Sequence, residues 1–575
     1  MAKPNFQTRI RFISIGVLLF GLCLIGKLYL LQIVHGSDFA QKADRQYVQS
    51  PDSMFNRGDI YFTDKNGTLI SGATLKAGFT VAINPKTLTN NPDATYEKIK
   101  TYLPTLDKTD FLSKAANKNQ TYIEIATKVD PTPANAINNL KIPGLGIYKS
   151  QWRFYPGNTL AAHALGFVAY SGNSGNDLSG RYGLERKYDS TLSRGNDDMY
   201  VNFFAEIFSN LDKTITEQDS LEGDIVTTIE PTVQATLQST LDGVMHDYSS
   251  ESAGGIIINP KNGEIYAMAV DPTFNPNSFQ KEKSSNIFSN PLVENVHEMG
   301  SIVKPFTMAI GLDTGVINAN TMYNDTGSMS ANGYTIHNFD LKGRGYISLQ
   351  QALGQSLNTG FAFAESKIGN KTFSDYMKKF GLGQKTGIDL PNETNGLIKN
   401  LDSPRDIEHW TAAFGQGIAM TPMEMVRAES ALANGGNLVT PHVVKQINYT
   451  LGYSKTLDWP VGPQVIKAST SEAITKMLVT DFDQYLQNGQ AKNPHYSIAE
   501  KTGTAQIALP SGGGYYEDRY LHSFFGYLPA YDPQFLVFMY TVYPKGVRFS
   551  SETLAPAFLD LTKFLINYYN IPPDR

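Results

Sequence analysis

EMGSIVKPFTMAIGLDTG, residues 298–315, places one lysine in a stretch that is otherwise almost wholly apolar. Ile302, Val303, Phe306, Met308, Ala309, Ile310 and Leu312 surround Lys304. A buried ammonium loses its hydration, so a lysine here needs a chemical reason. Gly300 before Ser301 and Pro305 after Lys304 predict a helix starting at Ser301, because proline is tolerated only near a helix start. Residues three apart share a helix face, which turns Lys304 back toward the Ser301 hydroxyl. A serine hydroxyl is a weak nucleophile without a base, and a desolvated lysine is neutral enough to act as one. Alone, Ser-x-x-Lys also reads as a helix cap beside a lysine reaching for solvent.

Two further strings extend the chemistry. GQSLNTG contains Ser356-Leu357-Asn358, and AEKTGTAQ carries Lys501-Thr502-Gly503-Thr504 on a predicted strand. Acyl transfer at a peptide carboxy-terminus needs a nucleophile, a base, a proton path to the leaving amine, an oxyanion hole and a cation for the terminal carboxylate. Ser301 and Lys304 supply the first two. Ser356 relays the proton and Asn358 bonds the substrate amide. Lys501 supplies positive charge, and the Thr502 and Thr504 hydroxyls bind the carboxylate. Gly503 permits close backbone approach. The backbone N–H groups of Ser301 and Thr504 form the oxyanion hole.

A second triple occurs in the same order: Ser278 to Lys281, Ser284 to Asn286, and Lys385-Thr386-Gly387. It fails on context. QKEKSSN after Ser278 cannot form a buried helix, and Lys385 follows a helix exit rather than opening a strand.

The 575 residues exceed what one hydrophobic core supports, so two or three domains are expected. Net charge is -5, which argues against nucleic acid as the main partner. Cys23 is the only cysteine, so no internal disulfide and no cysteine metal site is available. The nine histidines are scattered without paired spacing, so no metal site is indicated. Residues 12–34 are apolar except for Lys27 and Gln32, and long enough to span a bilayer. Lys3, Arg9 and Arg11 precede this stretch, which keeps residues 1–11 cytoplasmic and the remainder outside. A cleaved signal peptide is the rival, but KLYLLQIVHGSDFA offers no good cleavage site.

Residues 36–222 mix short strands and helices with polar turns, including a loop at SGNSGNDLSG (171–180). From 223 the texture changes to a strand, an amphipathic helix, and two apolar runs joined by Lys261-Asn262-Gly263, a hairpin signal. A largely helical region follows to about 490. Strand patterns then return, and Ser551 is the expected cap of a final helix. Strands at both ends with helices between predict an α+β domain over 223–575, with one antiparallel sheet flanked by helices. The segment 507–523 reads equally as a mobile flap or an ordinary hairpin loop.

Ser-x-x-Lys, Ser-x-Asn and Lys-Thr-Gly in that order resemble the penicillin-binding proteins and serine β-lactamases. The chain resembles a class B penicillin-binding protein. RGDIYFTDKNGTLI (57–70) resembles the box that opens that family's pedestal, or dimerisation, domain, so Arg57-Gly58-Asp59 is part of it and not an adhesion signal. WRFYPGNTLAAHALGF, YGLERKYD, FGLGQKTGIDLPNE and TAAFGQGIAMTPMEM are further matches; the family's E-P-G-S is E-M-G-S here. The resemblance implies a transpeptidase fold with a helical subdomain, on an elongated pedestal with one transmembrane helix. It implies a peptidoglycan D,D-transpeptidase of the cytoplasmic membrane, its catalytic domain extracytoplasmic, working through a serine acyl-enzyme and acylated by β-lactams. No cofactor follows. The implied partners are stem peptides, a SEDS-type glycosyltransferase and other divisome or elongasome proteins, and PTFNPNSF and KPFT lean toward the septal branch. The alternatives are a D,D-carboxypeptidase or β-lactamase-like hydrolase, and a non-enzymatic β-lactam sensor or division scaffold.

Overall fold

The computed structural model describes Lys27 and residues 56–89, 91–170, 178–194, 222–450, 452–510 and 512–575. The expected anchor at 12–34 (Lys27 apart), residues 1–11 and most of the 171–180 loop lie outside the described residues. Among the described residues, no helix is long and apolar enough to cross a membrane.

The chain folds as two compact bodies. The smaller, Lys76–Trp152, packs helices Pro92–Lys100, Lys108–Ala116 and Pro131–Asn139 around Val81, Ile99, Phe111, Ile125 and Ile137. The larger contains Asn56–Leu75 together with Arg153–Arg575. The larger body thus includes residues on both sides of the change of texture at 222. Strand Ile60–Thr63 pairs in parallel with Gly223–Thr227, and the latter pairs antiparallel with Val444–Tyr449. Sequence patterning misses such joins because the partners lie far apart along the chain.

Arg57 shows why the 57–70 box belongs to this larger body. It is buried, donating from Nε to Glu185 Oε2 at 2.6 Å and pairing through Nη1 with Asp189 at 2.8 Å. Arg153 Nε meets the other Glu185 oxygen at 2.6 Å, and Tyr155 Oη donates to it at 3.1 Å. An arginine spent in this way cannot present an adhesion tripeptide.

The sheet that positions the cleft has five antiparallel strands. They are β1 (Ser252–Ile258), β2 (Ile265–Asp271), β3 (Ala499–Ala508), β4 (Tyr515–Leu528) and β5 (Phe535–Val542), in the order β3-β4-β5-β1-β2. The turn between β1 and β2 is the expected one, with Gly263 at φ +87 and Asn262 Oδ1 accepting from Glu264 N–H. Both faces of the sheet are covered, which explains the continuous apolar run FLVFMYTV. Val537 and Met539 face helices α1 (Pro231–Tyr248) and α5 (Ser550–Tyr569), packing with Leu237, Leu241, Phe558 and Leu561. Leu536, Phe538 and Tyr540 face the other core, which holds Ile302, Val303 and Phe306. Between them in sequence run α2 (Lys304–Thr314), α3 (Asn358–Ile368) and α4 (Ala468–Gln484). The final helix starts at Ser550, so Ser551 lies in its first turn and is not its cap.

The region 300–490 is less purely helical than its sequence predicts. Met322–Asp325 pairs with Gly345–Ser348, and Ser328–Ala331 with Tyr334–His337. These four-residue strands are too short to establish an alternating pattern. Asp325 ties them to α3, accepting from Asn338, Gly327 and the Thr359 hydroxyl.

Candidate active site

Gly300–Val303 forms a 3₁₀ turn that runs directly into α2, with Pro305 in its first turn where a missing N–H costs nothing. Gly300 adopts φ +62 and donates its N–H to the Gly415 carbonyl at 3.1 Å. A Cβ there would lie 2.8 Å from the Thr504 carbonyl, so the turn sits directly against β3.

Lys304 is 0% exposed. Its Nζ donates to the Ser356 carbonyl at 2.5 Å and to Ser356 Oγ at 3.1 Å, and lies 5.6 Å from the Phe361 ring centre. Both hydrogen bonds therefore run to the second string, whereas the helical spacing predicts an approach to Ser301 itself. A neutral amine has two N–H donors and one lone pair. With both donors spent on Ser356, the lone pair is what remains for a proton. Burial, reinforced by the charge of Lys501 and opposed by Asp481, holds the Lys304 amine well below the ordinary lysine range.

Ser356 follows helix Leu349–Gly354 and adopts φ +54, a left-handed conformation that costs a non-glycine residue about 1 kcal/mol or more. That strain holds its carbonyl and hydroxyl together on Lys304. Asn358 opens α3 and donates from Nδ2 to the His337 carbonyl at 2.9 Å.

The third string lies on β3, the edge strand of the sheet. Lys501 is buried, with Nζ 3.3 Å from Asp481 Oδ2 and 3.5 Å from Thr502 Oγ1. Thr504 Oγ1 accepts the Ser550 N–H at 3.2 Å. Gly503 is required for a reason the sequence does not reveal. A Cβ there would meet Ser523 Oγ at 2.2 Å, the Met299 carbonyl at 2.7 Å and Ile302 Cγ2 at 3.0 Å. The close approach is to the Ser301 turn. Gly503→Ala is expected to destabilise by about 1–3 kcal/mol and to push that turn off the strand. Denaturant unfolding measured beside the acylation rate checks both effects.

Ser301, Ser356, Asn358, Lys501, Thr502 and Thr504 line one cleft of about 730 Å³. Lys304 and Gly503 are not among its lining residues. Asp481, Glu500 and Gln416 also line it and escaped the sequence reading. Asp481 carried a signal: Ile474, Met477, Leu478 and Phe482 mark the buried face of α4, and Asp481 falls on that stripe. The second triple is not assembled here. Lys281 and Lys385 are exposed, and Ser284 caps a 3₁₀ turn at Ser285–Phe288. Residues 507–510 and 512–523 belong to the β3–β4 hairpin, where Tyr515 Oη donates to both oxygens of Glu298 at 3.1 and 3.0 Å.

Comparison with known proteins shows the family of the chain. Residues 253–563 match the penicillin-binding protein transpeptidase domain, and residues 54–228 match the penicillin-binding protein dimerisation domain. Stage V sporulation protein D of Bacillus subtilis is 29% identical over 97% of this chain and 85% of its own length. The peptidoglycan D,D-transpeptidase MrdA of Acinetobacter baumannii is 27% identical over 93% of this chain and 84% of its own. Penicillin-binding protein 3 of Mycobacterium tuberculosis, solved in complex with aztreonam, superposes with a TM-score of 0.68 at 22% identity, covering 91% of this chain and 98% of that one. With a transpeptidase domain over more than half its length and a dimerisation domain before it, the chain belongs to the class B penicillin-binding proteins.

Proposed function

We propose that the protein is a peptidoglycan D,D-transpeptidase working through an acyl-enzyme on Ser301. The observation that carries this reading is the buried Lys304 amine, whose two donors are held by Ser356 at the edge of the cleft that Ser301 lines. The neutral amine takes the Ser301 proton as Oγ attacks the penultimate D-Ala carbonyl. The oxyanion lies between the Ser301 and Thr504 N–H groups. The Ser356 hydroxyl, bonded to Lys304, returns the proton to the departing D-Ala amine. Asn358 holds the substrate amide, and Lys501 with Thr502 and Thr504 holds the terminal carboxylate. The amine of a neighbouring stem peptide then attacks the ester and forms the cross-link.

β-Lactams mimic the donor and acylate the same hydroxyl; the relative solved with aztreonam supports this reading. The segment 12–34 anchors the chain in the cytoplasmic membrane, with 1–11 inside and the catalytic domain outside. PTFNPNSF favours the septal branch, in which the pedestal engages a SEDS-type glycosyltransferase and other division proteins.

Purified protein given a chromogenic cephalosporin is expected to form one stable adduct per chain with no sustained turnover. Given a D-Ala-D-Ala stem peptide and an amine acceptor, it is expected to release D-Ala and form the cross-link. Rapid multiple turnover of the cephalosporin would replace this reading with a hydrolase.

A further inference from the structure

The cleft carries a cation that the proposed acyl transfer does not use. Arg548 lines it, in the connection between β5 and α5. The lysine of that lining, Lys501, has Asp481 Oδ2 at 3.3 Å. Arg548 has no such partner. Among the described residues its guanidinium makes no ion pair, and meets the Phe339 carbonyl from Nη2 at 3.5 Å and the Phe549 ring centre at 5.5 Å. Glu552, the acid nearest along the chain, spends Oε2 on the Phe549 N–H at 3.1 Å. Arg344 also lies over Phe339, at 6.0 Å, but Asp340 holds both of its terminal nitrogens at 2.8 Å. Of these two guanidinium groups, the one in the cleft is left without an acid among the described residues.

The backbone around Arg548 is fixed against the sheet. Thr504 on β3 pairs with His522 on β4, and His522 Nε2 donates to the Arg548 carbonyl at 3.0 Å. Two residues on, the Ser550 N–H donates to Thr504 Oγ1 at 3.2 Å and the Ser550 hydroxyl to the Ser523 carbonyl at 2.7 Å. These bonds set the Arg548 backbone level with Thr504, whose N–H is assigned to the oxyanion. With the terminal carboxylate held at the Lys501 end of β3, the donor peptide leaves the scissile carbonyl in the opposite sense. It passes Thr504 toward Gln506, Tyr520, Arg548 and Phe549, all of which line the cleft.

We propose that Arg548 is a specificity-determining residue, which binds a carboxylate carried by the donor stem peptide upstream of D-Ala-D-Ala. The inference rests on the transpeptidase reading and deepens it by naming the donor class. That class is stems that keep a free carboxyl on the second or third residue, over stems in which both are masked as amides. A planar guanidinium matches a carboxylate through two parallel N–H bonds. A carboxamide offers one acceptor and no charge. Phe339 and Phe549, packed edge to face with ring centres 5.6 Å apart, give the pair an apolar backing that strengthens it against water.

The test compares four donors on the full chain: a stem pentapeptide with a diaminopimelate third residue and both side carboxyls free, its two mono-amides, and its diamide. D-Ala release with an added amine acceptor is followed as kcat/KM, on active sites counted by benzylpenicillin labelling. Wild type is expected to use the free peptide about tenfold better than the diamide, the scale of one charge-assisted hydrogen bond. The mono-amide that shows the loss identifies which carboxyl is bound. In Arg548→Gln the gap between free peptide and diamide is expected to close, and in Arg548→Glu to reverse. A merely structural Arg548 would lower kcat/KM for every donor alike and keep the gap. Equal use of free peptide and diamide by wild type, or a gap in Arg548→Gln as wide as in wild type, overturns the proposal. If the variants do not fold, wild type at raised salt decides. Arg548 is exposed, so its pair is screened and the gap narrows; a gap that salt leaves unchanged overturns the inference. Wild type that releases D-Ala from none of the four donors brings down the transpeptidase reading, whereas equal release from all four overturns this inference alone.

Discussion

Lys304→Met is expected to lower the rate at which penicillin acylates Ser301 by about 10³- to 10⁴-fold, the upper range for removing a positioned general base. Methionine suits the test because it fills nearly the same volume in a site that is 0% exposed, so no cavity opens beneath α2. What is lost is the amine proposed to take the Ser301 proton, together with the donor to the Ser356 carbonyl and hydroxyl. The pH dependence follows from the same burial. Desolvation and the charge of Lys501 both disfavour the ammonium form, with Asp481 partly opposing. The amine is therefore free well below the ordinary lysine range, and wild-type acylation rises as pH rises through that lowered pKa. Lys304→Met is expected to lose this dependence along with the rate. A variant acylated at the wild-type rate would remove Lys304 from the mechanism. Acylation rates on folded protein, verified by circular dichroism, decide the matter.

Glu185→Ala is expected to destabilise the larger body by about 3–5 kcal/mol, the cost of removing one partner from a buried charge network. Glu185 receives Arg57 and Arg153, one on each oxygen, and its side chain is 0% exposed in both ion pairs. Without the carboxylate, two buried guanidinium groups lose their shared counter-ion; among the described residues, only Arg57 retains an acidic partner, Asp189. Burial alone would raise the Glu185 carboxyl, but the charges of Arg153 and Arg57 outweigh it and hold it below the ordinary range. The sign of the pH effect follows. This stabilisation is full above the ordinary carboxylate pKa and is lost as pH falls through the lowered folded value. Denaturant midpoints of wild type and variant should therefore lie far apart at neutral pH and converge in acid. A gap that persists unchanged into strong acid would show that Glu185 acts by packing alone.

Much of the site was legible because its chemistry lies in short strings. Ser301 and Lys304 announced themselves as a lysine inside an apolar helix, and Lys501 to Thr504 as a polar patch on a strand. The competing triple fails on local context, and its lysines are exposed. Pairings between distant positions were less legible. The contact of Lys304 with Ser356 depends on a left-handed residue between two helices, which no periodicity encodes. Glu500 sits beside Lys501 in sequence but reads as ordinary strand polarity until its burial is known. In the fold, the apolar runs of β1, β2 and the C-terminal strands were readable. The strand at Gly223–Thr227 was readable too, but its pairing with Ile60–Thr63 and Val444–Tyr449 was not, because the three strands lie far apart along the chain.

The most direct test of the whole account is peptide mass mapping of the penicillin-treated protein. The account predicts one penicilloyl adduct per chain, on the hydroxyl of Ser301, and its complete absence in Ser301→Ala. An adduct on Ser356 or on the Ser278 segment, or labelling that survives Ser301→Ala, would contradict it.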